Sequence, residues 1–145
     1  VHMKPVAHLL KANDQSNFLR VAPDVSVFVA LELLSTLRVG ALMVMDGERL
    51  IGIFSERDYC RKVALKGRNS KETTVADIMT SEVFTVPSTT STHACMALMN
   101  EKHFRHLPVV DGDKVLGLIS MRDIMADVIA EHEFTINQLE TYVNS

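Results

Sequence analysis

The sequence predicts an α/β (α+β) fold of two β-α-β-β-α repeats that pack sheet to sheet with pseudo-two-fold symmetry. The first observation is an internal repeat: residues 18–64 align without a gap on residues 83–129, at a constant offset of 65 (83 minus 18). The second is that both copies alternate apolar runs of strand length with stretches of helical periodicity. A unit this small does not easily bury its own apolar face, so we expect the two copies to pack together.

Each copy begins with a short β-type run, over residues 19–22 and residues 84–87, that ends near a proline. An amphipathic helix is predicted next, because apolar positions follow at i, i+3, i+4 and i+7. These positions are Val27, Ala30, Leu31 and Leu34 in the first copy and Thr92, Cys95, Met96 and Met99 in the second.

A tight hairpin follows in each copy, because an Asp-Gly turn dipeptide separates two apolar runs. A final helix is predicted to begin at Ser55 in the first copy and at Ser120 in the second. The predicted strands cover residues 41–45 and 50–54 in the first copy and residues 107–110 and 115–119 in the second.

A short helical lead-in is expected before each copy, since residues 6–10 resemble residues 75–79. The predicted organisation is a first repeat with its lead-in over residues 4–66, a linker over 67–74, a second repeat with its lead-in over 75–130 and a C-terminal helix over 131–145.

Length and charge exclude several classes of protein. The 145 residues leave no room for a catalytic domain beside the two repeats. A net charge of -3 disfavours nucleic acid as the main partner. No apolar run approaches the roughly 18 residues that span a bilayer, and the amino terminus lacks a signal-peptide pattern, so we expect a cytoplasmic protein without membrane contact. Cys60 and Cys95 are then expected to be buried free thiols.

The motif Gly-x-x-Ser-x-Arg-Asp recurs where a strand passes into a helix. One interpretation is a helix cap, in which Asp reaches back to the amide of the N-cap Ser. The other is a nucleotide site, in which amides, the hydroxyl and Arg hold phosphate while the carboxylate accepts the ribose hydroxyls. The residues leave both interpretations open; they are Gly52, Ser55, Arg57 and Asp58 in the first copy and Gly117, Ser120, Arg122 and Asp123 in the second.

Together with the run His-Leu-Pro-Val-Val-Asp at residues 106–111, the second motif resembles the cystathionine β-synthase (CBS) domain. Two copies in register resemble a CBS pair, or Bateman module, of a stand-alone bacterial-type signal-transduction protein, over about residues 4–128. The resemblance implies clefts that bind an adenine-containing ligand such as AMP, ADP, ATP, NAD or S-adenosylmethionine.

The resemblance also implies roles for individual residues. Asp58 and Asp123 would hold ribose hydroxyls, and the neighbouring Ser and Arg residues would lie near ribose or phosphate. The two sites are expected to differ, because the stretches 40–43 and 105–108 differ. The implied ligand-binding residues are Val21, Pro23, Gly40, Ala41, Leu42, Ser55, Arg57 and Asp58 in the first repeat and Thr85, Pro87, Arg105, His106, Leu107, Pro108, Ser120, Arg122 and Asp123 in the second.

The sequence offers no catalytic or metal-binding constellation. The sequence shows no residue spacing that is typical of a metal site and no P-loop. It also gives no basis for a Ser-His-Asp catalytic arrangement. We expect no catalytic residue, no metal and no catalytic cofactor. Five of the six histidines are candidate metal ligands, and they are scattered: His8, His93, His103, His106 and His132.

A heptad-like stripe lies beyond the second repeat. It consists of Ile129, His132, Ile136, Leu139 and Val143, spaced 3, 4, 3 and 4. The stripe is expected to dock on its own domain or on a sister subunit, and the alternative is a docking helix for a regulated protein partner. The family resemblance implies a homodimer.

The predicted function is that of a regulatory module that senses adenine nucleotides and changes its conformation or its partner binding. The alternative is a dimeric scaffold whose ligand clefts are vestigial.

Overall fold

The structure is a computed structural model that describes residues 4–12 and 19–144. Helices and strands alternate as the repeat predicts. In chain order the elements are α1 (Ala7–Ala12), β1 (Arg20–Val21), α2 (Val27–Leu37), β2 (Ala41–Asp46), β3 (Arg49–Ser55), α3 (Glu56–Tyr59), a π-helical segment (Cys60–Ala64), α4 (Val75–Ile78), α5 (Thr92–Lys102), β4 (His106–Asp111), β5 (Lys114–Ser120) and α6 (Met121–Asn144).

The strands form one sheet in each copy. In the first, β1 pairs in parallel with β2, which pairs antiparallel with β3. In the second, β4 and β5 form the matching antiparallel hairpin. The pairing register shifts after Val44 in one hairpin and after Val109 in the other, which are equivalent positions. The α+β class and the repeated hairpins are therefore confirmed.

The long helix of each copy begins and ends in the same way. The Ser26 hydroxyl accepts the Val29 N–H at 3.2 Å, and the Ser91 hydroxyl accepts the Ala94 N–H at 3.0 Å. Each helix ends at a non-glycine residue with positive φ, 55° at Arg38 and 60° at His103. This left-handed backbone costs about 1–2 kcal/mol and turns the chain into the following strand.

The predicted strand at residues 84–87 is shorter than its counterpart. Only Val86 forms a bridge, in parallel with Val109. Pro87 follows directly and has no N–H to donate, so the pairing does not extend.

The final helices of the two copies differ from each other. After Ser55 the helix has α geometry for four residues and then π geometry from Cys60 to Ala64. After Ser120 a single helix, α6, runs to Asn144, so the predicted C-terminal helix continues the last helix of the second repeat. Ser145 lies outside the described residues.

Each lead-in packs against the core of the other copy. Val6 and Leu9, at α1, join the core of the second repeat. Val75 and Ile78 of α4 join the core of the first. The predicted organisation groups each lead-in with the repeat that follows it in the chain. In the structure, each lead-in packs instead on the core of the other repeat.

Cys95 is buried and Cys60 is exposed, and both are free thiols. The prediction of a buried thiol is therefore wrong for Cys60, because Val63, and not Cys60, is the residue of the π-helical segment that faces the core. Within residues 4–12 and 19–144, no helix has the length and apolarity needed to cross a membrane.

Candidate functional site

Two clefts lie between the copies, and we name each after the carboxylate that lines it. The Asp123 cleft has a volume of about 340 Å³ and the Asp58 cleft a volume of about 630 Å³. Both volumes fall in the range of about 300–1,000 Å³ that is typical of small-molecule sites. Either cleft is large enough for a small organic ligand.

The two clefts have different walls. The Asp123 cleft combines an apolar wall, rich in leucine, with a few polar groups: Leu9, Leu10, Leu19, Leu37, Leu118 and Ile119 face Arg38, His106, Ser120, Arg122 and Asp123. The Asp58 cleft is richer in cations and aromatic rings, namely Arg57, Arg61, Lys62, Lys102, Arg105, Phe84 and Phe104.

The structure brings the predicted site residues together crosswise. Each cleft joins the Ser-x-Arg-Asp motif of one copy to the strand start of the other. Ser120, Arg122 and Asp123 share the first cleft with Gly40, Ala41 and His106, and Ser55, Arg57 and Asp58 share the second with Gly40, Arg105, His106 and Pro108.

Six residues of the predicted set do not line either cleft in the described part of the chain. Thr85 and Pro87 were assigned to the second site, but the nearby residues that line a cleft are Val83 and Phe84, and they line the Asp58 cleft. The side chains of Val21, Leu42 and Leu107 are buried in the two cores, because β2 and β4 are covered on both faces where these residues lie or pair. The six are Val21, Pro23, Leu42, Thr85, Pro87 and Leu107.

Both motifs form helix caps. The Ser55 hydroxyl accepts the Asp58 N–H at 3.2 Å, and Asp58 Oδ2 accepts the Ser55 N–H at 3.0 Å. The same pair of bonds joins Ser120 and Asp123 at 3.0 and 2.9 Å. The capping interpretation is therefore confirmed, but a cap uses only one oxygen of each carboxylate, so it leaves a ligand role open.

The remaining bonding capacity of Asp58 is taken up inside the protein. Its Oδ1 accepts the Thr80 hydroxyl at 3.0 Å and pairs with Lys62 Nζ at 3.1 Å. Its Oδ2 also accepts the Ser55 hydroxyl at 3.1 Å. A carboxylate has about four acceptor sites, so Asp58, which is 7% exposed, is saturated.

Asp123 has no such partners. Among the side chains that the structure describes, which are those of residues 4–10 and 19–143, nothing donates to its Oδ1. The position equivalent to Lys62 is Asp127, which pairs with Lys4 at 3.4 Å. Sequence reasoning placed the difference between the copies at Gly40 and Arg105 and missed this one. The exchange of Lys62 for Asp127 in the aligned repeats was the available signal.

His106 lies between the two clefts and lines both. Burial lowers its pKa below the ordinary value of 6.5; the Asp123 charge opposes this shift and the Arg105 charge adds to it. The imidazole is therefore neutral at pH 7, where it can both donate and accept a hydrogen bond.

The lowered pKa makes the stability of the fold depend on pH at this residue. Below about pH 6.5 His106 is protonated in the unfolded chain but stays largely neutral in the folded chain, because its pKa is lower there. Proton binding therefore favours the unfolded state. The free energy of unfolding should therefore fall as the pH drops from 7.5 to 5, and His106→Gln should weaken that dependence. Urea unfolding at both pH values measures it. His8→Gln, at an exposed position, should follow the wild type; equal pH dependence in His106→Gln and wild type would contradict the prediction.

A family model for the CBS domain matches residues 14–65 and residues 75–130. Among curated proteins, the mitochondrial CBS domain-containing protein CBSX3 of Arabidopsis thaliana is 34% identical over 146 residues, covering 95% of this chain and 71% of that protein. CBSCBSPB5 of the same plant is 34% identical over 122 residues, covering 83% of this chain but 22% of its own length.

Solved structures give the same result. The crystal structure of the CBS domain NE2398 has 43% identity and a TM-score of 0.82, and the match covers 88% of this chain and 99% of that one. A CBS-domain protein from Burkholderia ambifaria MC40-6, described as a signal-transduction protein, has 46% identity and a TM-score of 0.83 over 88% and 95% of the two chains. The tandem family matches and these relatives show that the chain belongs to the CBS-domain family and carries a CBS pair.

Proposed function

We propose that this CBS pair is a regulatory module that binds an adenosine phosphate, such as AMP, in the Asp123 cleft. The observation that carries the proposal is Asp123 itself, a carboxylate that lines the cleft and keeps one oxygen without a partner among the described residues. Asp58, the equivalent carboxylate, is saturated by Ser55, Thr80 and Lys62. The two sites are therefore proposed to be unequal, with Asp123 reading the ribose.

The groups around Asp123 match the parts of a nucleotide. A carboxylate oxygen accepts the two ribose hydroxyls, and the guanidinium groups of Arg38 and Arg122 supply fork-shaped donors for phosphate. The leucine wall offers apolar surface to the adenine ring. Arg38 reaches the cleft from a strained left-handed backbone, a feature that clusters at ligand sites.

Regulation follows from where the cleft lies. Its lining comes from both copies and from α1, so a bound ligand bridges elements that are far apart in the chain. The ligand favours one arrangement of the copies only by its difference in affinity between the two arrangements. CBS-domain proteins are generally regulatory, and the Burkholderia relative is described as a signal-transduction protein. We accordingly propose a binding and signalling role, without catalysis.

Titration calorimetry with AMP, ATP and NAD, on protein freed of copurified ligand, tests the proposal. Asp123→Asn should weaken AMP binding at least about tenfold, because a hydrogen bond to a charged group contributes about 1.5–3 kcal/mol and 1.4 kcal/mol is tenfold in affinity. The asparagine variant should also lose most of its preference for AMP over 2′-deoxy-AMP. That second result isolates the ribose contact from any change in folding.

Asp58→Asn is the matched control. It makes the same isosteric change in the same type of helix cap, but at a carboxylate already engaged by Thr80 and Lys62. Its AMP affinity in the Asp123 cleft should stay close to that of wild type. Equal losses in the two variants would contradict the ribose role of Asp123. Absence of binding tighter than millimolar for all three ligands would overturn the proposal and favour the scaffold alternative.

A further inference from the structure

The walls of the two clefts are built from equivalent positions of the repeat but differ in chemistry. Five residues of the first copy that line the Asp123 cleft have counterparts, 65 positions later, that line the Asp58 cleft. Four of these exchanges put an aromatic ring or a cation where the first copy has an aliphatic residue or glycine, and the fifth replaces Arg38 by His103. In chain order, Leu19, Leu37, Arg38, Val39 and Gly40 correspond to Phe84, Lys102, His103, Phe104 and Arg105.

Two of the exchanges place a pair of aromatic rings in the wall of the Asp58 cleft. The Phe84 side chain is 46% exposed, and its ring centroid lies 5.1 Å from that of Phe104, with 43° between the ring planes. Lys102 Nζ lies 5.6 Å from the Phe84 centroid. Aromatic rings pack favourably on one another in offset or tilted arrangements. The pair therefore offers a planar ligand a surface for stacking that the aliphatic wall of the Asp123 cleft lacks.

The Asp58 cleft also carries more positive charge. Lys62 forms an ion pair with Asp58 at 3.1 Å, so these two charges cancel. With the histidines neutral, the other described charges of the lining leave an excess of two positive charges, against one in the Asp123 cleft. These charges are Arg57, Arg61, Lys102, Arg105, Glu56 and Glu82 in the Asp58 cleft and Arg38, Arg122 and Asp123 in the other.

Asp58 is not available to bind the hydroxyls of a sugar. Its acceptor sites are filled from within the protein, and its partner Lys62 is held by a second bond, to the Ile78 carbonyl oxygen at 2.9 Å. Glu56 and Glu82 are exposed, and an exposed carboxylate holds a diol weakly because water competes for it. The rings and the cations are therefore the groups of this cleft that can recognise a ligand.

We infer that the Asp58 cleft binds a planar aromatic anion with about two negative charges, such as an aryl phosphate, through its ring and its phosphate group. The ring packs on Phe84, and the phosphate is bound by Arg105, whose counterpart in the other cleft is Gly40. A guanidinium group binds phosphate with two parallel N–H donors. The inference goes beyond the proposed function and does not depend on AMP binding in the Asp123 cleft.

Titration calorimetry with 1-naphthyl phosphate, which has a ring and a phosphate group but no sugar, tests the inference. Naphthalene-1-sulfonate keeps the ring but has a single charge, and inorganic phosphate keeps the charge but has no ring. Each should bind at least about tenfold more weakly than 1-naphthyl phosphate, because each loses part of the recognition. Equal affinity for either comparison ligand, or no binding of 1-naphthyl phosphate tighter than millimolar, would overturn the inference.

Two variants locate the ligand in the Asp58 cleft. Phe84→Leu introduces the residue found at the equivalent position of the other cleft, and it should weaken binding of 1-naphthyl phosphate about fivefold but leave inorganic phosphate unaffected. Arg105→Gln should weaken binding of both about tenfold. Both side chains are exposed, so neither substitution disturbs the cores. Wild-type affinity for 1-naphthyl phosphate in both variants would place the ligand elsewhere and refute the assignment.

Phe28→Leu and Arg49→Gln are the matched controls, since they make the same changes at exposed positions that line neither cleft. Both should bind 1-naphthyl phosphate as the wild type does. Saturating AMP should also leave this affinity unchanged, because the two ligands occupy different clefts. Displacement of 1-naphthyl phosphate by AMP would show that both use one cleft and would contradict the inference. If AMP does not bind at all, the proposed function fails, while the titration of 1-naphthyl phosphate still decides this inference.

Discussion

Phe54→Ala is expected to lower the free energy of unfolding by about 3–5 kcal/mol. The Phe54 side chain is completely buried in the core of the first repeat, opposite Leu42 in the adjacent strand. Truncation leaves a cavity that the surrounding sheet cannot fill, because two strands and the helices on them would have to move together. Small domains are stable by only about 5–15 kcal/mol, so much of the protein's stability should be lost. Ser55 follows directly, and its cap should weaken as well.

Urea unfolding followed by circular dichroism measures this loss. Phe28→Ala is the control, since Phe28 is 39% exposed and contacts Lys71, whose Nζ lies 4.9 Å from the ring centroid. An exposed cation–π contact contributes about 0.5–1 kcal/mol, so the control should change little. Similar losses in the two variants would contradict the assignment of Phe54 to the core.

Gly52→Ala is expected to cost about 1–3 kcal/mol through steric overpacking. A Cβ at this position would lie 2.5 Å from Met79 Sδ and 3.1 Å from the Thr80 carbonyl oxygen. The methionine can move, but Thr80 is held to Ile53 by two backbone hydrogen bonds of 2.9 and 3.0 Å. The Thr80 carbonyl therefore cannot move away without straining these bonds. We expect the shift that relieves the contact to displace the Thr80 hydroxyl from Asp58 as well.

A double-mutant cycle with Met79→Ala separates the two contacts. Gly52→Ala should cost less in the Met79→Ala background than in wild type, because the closest clash is gone. Gly40→Ala is the matched control: its Cβ would meet only the His106 ring, at 3.4 Å, so the free energy of unfolding should change little. Additive effects of Gly52→Ala and Met79→Ala would show that the clash does not govern the cost.

Local patterns were sufficient for most of the fold. The hairpins follow from apolar runs around Asp-Gly turns, where Gly47 and Gly112 take positive φ of 62° and 60°. The long helices follow from the helical periodicity that begins at Val27 and at Thr92, where α2 and α5 do begin. These signals act within a few residues, so they can be read without knowing the tertiary structure. The short pairing at Val86 could also have been read locally, because Pro87 has no N–H to donate. The π geometry of Cys60–Ala64 had no signal in the sequence.

The candidate site was predicted in its residue types but not in its assembly. Ser, Arg and Asp of both motifs do line clefts, whereas Leu42 and Leu107 belong to the core. The sequence predicted the lead-in at residues 75–79 but did not indicate that it packs on the first repeat and places Thr80 against Asp58. That contact joins residues 22 positions apart and exists only because α4 packs on the first repeat.

The sequence by itself determined that this protein is a repeated CBS unit with two equivalent Ser-x-Arg-Asp motifs and an amphipathic C-terminal stripe. The sequence also predicted that the two sites differ, from residues 40–43 and 105–108. Only the tertiary structure decided that the two carboxylates have different partners. Asp58 is saturated by Thr80 and Lys62, while Asp123 keeps an oxygen without a partner among the described residues. The physical reason is that a carboxylate's chemistry depends on which donors the fold brings within about 3 Å of it, and those donors come from other segments of the chain.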